Sequence, residues 1–414
     1  MPGAIEAAAK RLIGFELQFG PFAVAQLRII AEMQSLMATP GSPLPKIPEL
    51  RLFITDTLGN PFVEEENLGH LYEPIAKSRR DANSIKKTQP ITVVIGNPPY
   101  KEKAEGRGGW IEAGSGGKLV APLDRWRAPP EWGVGAHLKH LKNLYVYFWR
   151  WATWKVFGSG NYAATGLPDK DEEGIVCFIT VAGFLNGPGF ERMRDDLRRT
   201  CSEIWVVDCS PEGHQPNVPT RIFQGVQQPV CIVLGARKLG KSSDEPGRVR
   251  FLSLPKGERE EKFAALAKLS LTAPDWIDCP AGWRDPFLPA ATGIWATFQE
   301  LADLFVYDGS GVMPGRTWVI APDIQSLKTR WQRLTHETDT KKKEILFHPH
   351  EGGDKTLFKG SKTGLAGHEH RVESVNSDHG EAIAPTRYGL RSFDRQWIIP
   401  DYRLINRPNP TLWN

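Results

Sequence analysis

The sequence predicts a doubly wound α/β domain followed by a smaller mixed α+β domain. Three observations predict it. Apolar, largely β-branched runs alternate with helical patterns: ITVVIG at 91–96, GIVCFIT at 174–180, EIWVVD at 203–208 and PVCIVLGAR at 229–237. The run at 174–185 is apolar almost throughout, as for a strand of a parallel sheet covered on both faces. After about residue 240 the alternation stops, and stretches rich in Pro, Gly and Trp take over. The expected boundaries are 1–240 for the first domain, 241–294 for a connector and 295–414 for the second domain. A chain of 414 residues has room for them, at roughly 100–200 residues per domain.

The elements follow in order. Residues 1–38 read mainly as helix, with Leu12, Phe15, Phe19, Phe22, Leu27, Ile30 and Met33 as apolar positions. Within them LIGFEL, 12–17, reads as a short strand ending at Glu16. Pro21 then falls in the first turn of the next helix, where its missing N–H is tolerated. TPGSPLPKIPE, 39–49, is a loop, and LRLFITDTLG, 50–59, is a strand ending at Asp56. KSRRDANSIKK, 77–87, fits a helix or a loop. KEKAEGRGGWIEAGSGGK, 101–118, is rich in glycine and charge and reads as mobile. LKHLKNLYVYFWRWATWKVF, 138–157, reads as one amphipathic helix and FERMRDDLRRT, 190–200, as a charged helix. TRIFQGVQ and PVCIVLGAR, 220–237, read as the last strand unit of the sheet. RKLGKSSDEPGR, 237–248, is a turn cluster, and residues 258–270 form a short helix. Beyond 295 come a further helix, the turn DGSGVMPGR at 308–316, the basic helix SLKTRWQRL at 326–334 and a long polar loop at 350–385.

Composition narrows the function classes. The chain is 40% hydrophobic and 24% charged, an ordinary globular balance. It has no run of about 18 apolar residues, so no membrane span is expected. MPGAIEAAAKRLIGFELQFG lacks a secretory apolar core. Five scattered cysteines without a CxxC pair point to a reducing, cytoplasmic setting, with neither a disulfide framework nor a zinc site. A net charge of +4 permits a nucleic-acid partner without requiring one. Trp126, Trp149, Trp151, Trp154, Trp318 and Trp331 stand near Arg or Lys, which suits base stacking, although core packing is the commoner use of tryptophan. His348, His350, His368, His370 and His379 read as loop histidines, because no Cys or carboxylate framework accompanies them; no metal is expected. The run 341–343, KKK, reads as a solvated face that could also touch phosphate beside Trp331 and Arg333.

The strand 91–96 leads directly into Asn97, Pro98, Pro99 and Tyr100. The two prolines have no N–H and fixed φ, so the backbone there offers carbonyl acceptors and almost no donors. Asn97 adds a side-chain carbonyl, and Tyr100 adds a flat π surface. Acceptors held rigidly beside an aromatic face suit a planar ring bearing an NH2 group. Ligands of open α/β sheets sit beyond the carboxyl ends of the strands, as this corner does.

Asn-Pro-Pro-Tyr after an apolar strand resembles the catalytic motif of the amino-methyltransferases. The resemblance implies an incomplete Rossmann-like methyltransferase sheet, S-adenosyl-L-methionine as cofactor and Asn97, Pro98, Pro99 and Tyr100 as catalytic residues. GFELQFGPFAVAQLRI, 14–29, resembles the family's ribose motif, which implies Glu16 on the cofactor's ribose hydroxyls. ITDTL, 54–58, resembles the next motif, which implies Asp56 and Thr57 near the cofactor's adenine, with Asn97 also at the cofactor. Read without the resemblance, Glu16 is a solvated helix residue and Asp56 a turn former or helix cap.

GIVCFIT, the charged helix and IFQGVQQPVCIVL follow the order of the later strands of DNA adenine-N6 methyltransferases. SGVMPGRTWVIAP (310–322), SLKTRWQRL (326–334) and RYGLRSFDRQWIIPDYRLI (387–405) resemble the specificity region of type ISP restriction–modification enzymes. That group usually has Arg-Pro-Phe-Asp where this chain has Arg391, Ser392, Phe393 and Asp394. The resemblance covers about residues 12–414. It implies double-stranded DNA as partner, with Arg330, Arg333, Arg391 and Arg395 as contacts and 295–414 as the target-reading domain. The family's glycine-rich cofactor loop should precede LIGFEL, and MPGAIEAAAKR does not fit it. EAGSGGK (112–118) and FGSGNYAATG (157–166) follow the NPPY corner and read as flexible loops. The expectation is therefore a piece of a larger enzyme, with an upstream polypeptide supplying the loop, helicase and nuclease. The alternatives are a DNA-recognition subunit or fragment inactive alone, and a glutamine or RNA amino-methyltransferase.

Overall fold

The computed structural model describes residues 2–38, 46–62, 73–115, 120–158, 173–214, 221–299, 301–304, 311–348, 355–391 and 394–413. They fall into two units, Met1–Ala296 and Thr297–Asn414.

The first unit opens with helix α1 (Pro2–Arg11), strand β1 (Ile13–Glu16) and helix α2 (Phe19–Met37). Strand β2 (Arg51–Ile54) runs parallel to β1, with Glu16 opposite Ile54, and the two form a sheet of their own. The strand read over 12–17 is present; the one read over 50–59 is shorter and ends before Asp56. The polar stretch 77–87 is helical, within α3 (Glu73–Thr88), which buries Ala76, Ala82, Ile85 and Lys86.

A second sheet has the order β3-β4-β6-β5-β7-β8. Its strands are β3 (Val93–Gly96), β4 (Gly174–Val181), β5 (Glu203–Asp208), β6 (Val230–Arg237), β7 (Arg248–Ser253) and β8 (Ile277–Asp278). Between them lie α4 (Gly109–Ala113), α5 (Leu144–Phe157), α6 (Glu191–Thr200) and α7 (Arg259–Lys268). β3 pairs parallel to β4, and β5 parallel to β7. β6 is antiparallel to both β4 and β5, so β3, β4, β5 and β7 all run one way. The sheet is therefore mixed, where the apolar run at 174–185 predicted parallel neighbours. β6 runs antiparallel beside β5, a pairing that needs no crossover helix. The stretch 241–294, expected as a connector, supplies β7, α7 and β8, so 220–237 is not the last strand unit.

Strand side chains alternate between two faces. Ile204, Val206, Cys231, Val233 and Val249 join the large core with Met193 and Leu197 of α6 and the aromatic residues of α5. Val207, Val230, Ile232, Leu252 and Leu254 join a second core with Ala265 and Leu266 of α7. Apolar cover on both sides accounts for strands that are apolar almost throughout.

Three expectations change here. The helix read over 138–157 is two elements: a 3-10 turn at Gly135–Lys142 and α5, separated by the extended Asn143. α5 is buried around most of its circumference rather than amphipathic, because Tyr145, Tyr147, Trp149, Trp151, Trp154 and Phe157 fill the core on several sides. The glycine-rich stretch after NPPY is packed at α4, where Trp110 and Ile111 are enclosed, while Lys101, Glu102, Lys103, Glu105, Gly106 and Arg107 are exposed. Gly109, at φ +53°, lies where a Cβ would come within 2.2 Å of the Leu58 carbonyl, so glycine there serves close approach. Residues 116–118 of EAGSGGK and 159–166 of FGSGNYAATG lie outside the described residues.

The charged helix α6 is buried, and its charges are matched one by one. Asp196 accepts from Arg125 Nε at 2.6 Å and Trp126 Nε1 at 2.8 Å. Arg194 donates to the carbonyls of Phe184, Gly187 and Arg284. Arg198 donates to Gly247 and Pro280 and lies 5.1 Å from the Phe287 ring. Such groups are tolerated inside only when paired in this way.

The second unit begins with α8 (Leu301–Leu304) and contains β9 (Ile320–Ala321), α9 (Ile324–Thr335), α10 (Thr340–Phe347), β10 (Thr386–Arg391) and β11 (Asp394–Ile398). Its strands form an antiparallel sheet in the order β10-β11-β9. Asp323 caps α9 through Ser326 N, and Asp339 caps α10 through Lys341 N and Lys342 N. Residues 355–385 have no regular element, yet Leu357, Leu365, Val375 and Ile383 enter the cores of this unit. Lys343 is buried and donates to the Asn376 carbonyl, so the KKK run is solvated only in part. His350 lies outside the described residues. His370 reaches the Ser361 carbonyl, and His368 stands edge-on to Trp413. Among the described residues no His, Cys, Asp or Glu cluster could hold a metal ion, and no helix is long and apolar enough to cross a membrane.

Candidate active site

β3 ends at Gly96, where a Cβ would come within 2.9 Å of the Phe178 ring on β4. Asn97 and Pro99 are exposed, Pro98 is buried and Tyr100 is half-buried. The corner is clamped from behind. Leu144 N, at the start of α5, donates to the Lys101 carbonyl at 2.9 Å. Lys103 N, at φ +51°, donates to the buried Asn143 Oδ1 at 3.1 Å, and Ala104 N to the Lys142 carbonyl at 2.7 Å. An acceptor-rich, donor-poor turn is thus held between a strand end and a helix start.

The Tyr100 ring lies 6.4 Å from Phe223, tilted. Its hydroxyl is buried without a hydrogen-bond partner among the described residues. Burial raises the pKa of that hydroxyl far above the ordinary tyrosine range, and the neighbouring thiols Cys231 and Cys209 add to the shift. The hydroxyl therefore stays neutral in the ordinary pH range and is neither an acid nor a base there.

Glu16 and Asp56 come together at the carboxyl ends of β1 and β2. Thr55 N donates to the Glu16 carbonyl at 2.9 Å, and Gln18 N donates to Glu16 Oε1 at 2.9 Å. Asp56 forms the turn as well: its Oδ1 accepts Leu58 N at 2.9 Å, and its carbonyl accepts Gly59 N at 3.1 Å. Thr57 is half-buried in that turn. Buried Lys86 donates to the Asp56 carbonyl and sits 5.5 Å from the Phe15 ring. The same turn is tied to the segment after NPPY, since Trp110 N donates to the Leu58 carbonyl at 3.1 Å and Phe62 packs edge-on against Trp110.

Three supporting residues escaped the sequence reading. Asn143 precedes an apolar helix, a position where Asn commonly signals a helix start, so it was detectable. Lys86 sits in a run of charges that gives no sign of burial. Phe223 meets Tyr100 from a turn segment far along the chain, a contact that sequence does not display.

In the second unit the four arginines differ. Arg330 Nη1 donates to the Ile320 carbonyl at 2.7 Å and to the Trp318 carbonyl at 3.3 Å, so it fastens α9 to β9. Arg333 and Arg395 are exposed. Arg391 belongs to β10, and its side chain lies outside the described residues. Register places Arg387 opposite Trp397 and Gly389 opposite Arg395, so Arg387, Arg395 and Trp397 share one face of the hairpin. The Arg387 guanidinium stands 4.3 Å from the Trp397 ring. Trp126, Trp149, Trp151, Trp154 and Trp331 are buried, which assigns them to packing rather than base stacking.

This unit decides the relationship. Residues 303–414 match the Type ISP C-terminal specificity domain. The chain as a whole resembles type ISP restriction–modification enzymes in fold. The ATP-dependent Type ISP enzyme LlaBIII bound to DNA overlays 96% of this chain at TM-score 0.54 and 18% identity, using 26% of its own length. The DrdV–DNA complex overlays 99% at TM-score 0.55 and 16% identity, using 39%. A nuclease-deletion mutant of the Type ISP enzyme LlaGI with a DNA substrate mimic overlays 96% at TM-score 0.55 and 14% identity, using 32%. This chain therefore spans well under half of each of these proteins. No curated protein sequence matches it.

Proposed function

We propose that this chain is the methyl-transferring and target-reading part of a DNA-modification enzyme of type ISP kind, acting on N6 of adenine. The observation that carries this reading is the NPPY corner: a turn rich in acceptors and poor in donors, beside an aromatic face, clamped at the end of β3. Asn97 Oδ1 and the Pro98 carbonyl accept the two amine protons and orient the nitrogen lone pair. Tyr100 stacks on the flipped base. Flipping costs a few kcal/mol, and stacking returns roughly 1–3 kcal/mol.

S-adenosylmethionine would supply the electrophilic methyl group. The residues present fit its nucleoside half: Glu16 for the ribose hydroxyls, and Asp56 and Thr57 for the adenine. Where the resemblance places a glycine-rich loop, ahead of β1, the described residues form α1. A second reading is that the chain recognises DNA and that residues outside this sequence complete the cofactor site. The specificity-domain match weighs against a glutamine or RNA substrate.

The test is transfer of labelled methyl from S-adenosylmethionine to unmethylated DNA, by the chain alone and with the polypeptide encoded just upstream. Activity is expected in at least one case, lowered about 10²-fold or more by Asn97→Ala. Full methylation by that variant removes the mechanism.

A further inference from the structure

We infer that Arg387, held over Trp397 on the open face of the β10–β11 hairpin, reads a guanine in the DNA major groove, a role that rests on the proposed reading of the second unit as the target-reading part.

Alternation and register put Arg387, Gly389, Arg395 and Trp397 on one face of the hairpin, and Tyr388 and Ile398 on the other. The second face is the anchored one. Ile398 is fully buried, and the Tyr388 hydroxyl donates to the Val312 carbonyl at 2.8 Å. The first face is open over most of its length. Arg387, Gly389 and Arg395 are exposed, and a Cβ on Gly389 would meet nothing within 4 Å. Asp394, the carboxylate of the hairpin, accepts from Gln396 at 2.7 Å and lies by alternation on the anchored side. The open face is therefore cationic, and a glycine inside its strand leaves room for another backbone to come close.

Arg387 is an exposed cation with a fixed seat. Its guanidinium stands 4.3 Å from the Trp397 ring, and Trp397 in turn packs against the core that holds Leu327 and Trp331 of α9. Among the described residues Arg387 donates to no acceptor. A guanidinium over an indole is ordered before any ligand arrives, while the N–H groups along its edge stay free to donate. That planar fork matches two acceptors side by side. In the major groove guanine alone presents such a pair, O6 and N7. Adenine shows an acceptor and a donor, thymine an acceptor beside its methyl group, and cytosine a donor. The groove is wide enough to admit a two-stranded β-ribbon. Arg395, on the same face, suits a neighbouring phosphate, which would fix the register of the ribbon.

The test sequences the duplexes that the 414-residue chain retains from a randomised pool, and repeats the selection with variants. The chain is expected to enrich a motif with an invariant G·C pair. Arg387→Ala should lose the preference at that pair alone, with affinity for the motif lowered about ten-fold or more. Placing 7-deazaguanine there removes the N7 acceptor; it should weaken the unmodified chain several-fold and leave Arg387→Ala unmoved. Trp397→Leu removes a positioning residue, so it should relax the same pair and add nothing further to Arg387→Ala. Arg395→Ala should weaken all sequences alike. An Arg387→Ala chain that keeps the whole motif, or that loses affinity equally for every sequence, overturns the inference. So does indifference of the unmodified chain to 7-deazaguanine. If the unmodified chain enriches no motif, the inference falls together with the target-reading half of the proposed function. A guanine read through Arg387 by a chain that transfers no methyl group would refute the proposed chemistry and leave this role standing.

Discussion

Replacing Tyr100 by Phe should stabilise the first unit, and replacing it by Ala should not. Among the described residues the Tyr100 hydroxyl is buried without a partner, while its ring packs beside Phe223. An unpaired buried hydroxyl costs about 1–3 kcal/mol, so its removal should return about 1 kcal/mol. For a unit of this size that raises Tm by about 2 °C. Ala removes a half-buried ring and should cost about 2 kcal/mol, below the range for fully buried aromatics. Urea denaturation of the three proteins reads both effects. The pH dependence gives an independent check. The folded-state pKa of Tyr100 is raised above the unfolded value of about 10. Its contribution to stability is therefore complete below about pH 10 and is lost as pH rises toward the folded value. Tyr100→Phe lacks that loss, so its advantage should widen above about pH 10. In methyl transfer, Phe should retain the stacking face, and Ala should lose roughly 10- to 100-fold. A Phe variant less stable by about 1 kcal/mol, with no pH-dependent gap, would mean that the hydroxyl has a partner and the reasoning fails.

Other outcomes follow from the same geometry. Asp196→Ala strips partners from Arg125 and Trp126 and should cost about 3 kcal/mol, read by the denaturation midpoint of the first unit. Burial pushes the Asp378 carboxyl up, but Arg403, the Gly380 N–H and Arg371 overcome this and hold its pKa below the ordinary value. Its stabilisation is present above about pH 4 and is lost as pH falls through the lowered value, so Asp378→Asn should flatten the acid limb of the second unit's unfolding. Arg330→Ala should destabilise the second unit by about 1 kcal/mol, whereas Arg333→Ala and Arg395→Ala should leave its stability within about 0.5 kcal/mol. In a DNA titration across salt concentrations, the latter two should each lower the slope of log affinity by about 1; an unchanged slope removes them from the interface.

The local features were legible. β4, β5 and β6 announced themselves as apolar runs, and the chemistry of Asn97 to Tyr100 follows from what proline lacks. The misreadings share a cause in contacts between residues far apart in the chain. Nothing in Val230–Arg237 says that it returns antiparallel between β4 and β5. Nothing in RVRFLS reveals a partner 45 residues earlier, as Ser253 has in Asp208. The burial of α6 was not legible because the acceptors of its arginines, the carbonyls of Gly247, Pro280 and Arg284, lie in a stretch read as a connector. Gly106, Gly108 and Gly109 suggested mobility, but Gly108 is crowded by Tyr147 and Gly109 by Leu58.

The apolar clusters have a consequence for how such a chain changes over generations. Among the described residues, the clusters around the mixed sheet use only the first unit, and those around α9 and the β10–β11 hairpin use only the second. A recombination near residue 296 would hand over a complete interior rather than half of one. The C-terminal unit could then be replaced by a diverged counterpart while the NPPY corner kept all its supports. Lineages sharing this layout should show a breakpoint there, with the two sides differing in their rates of divergence.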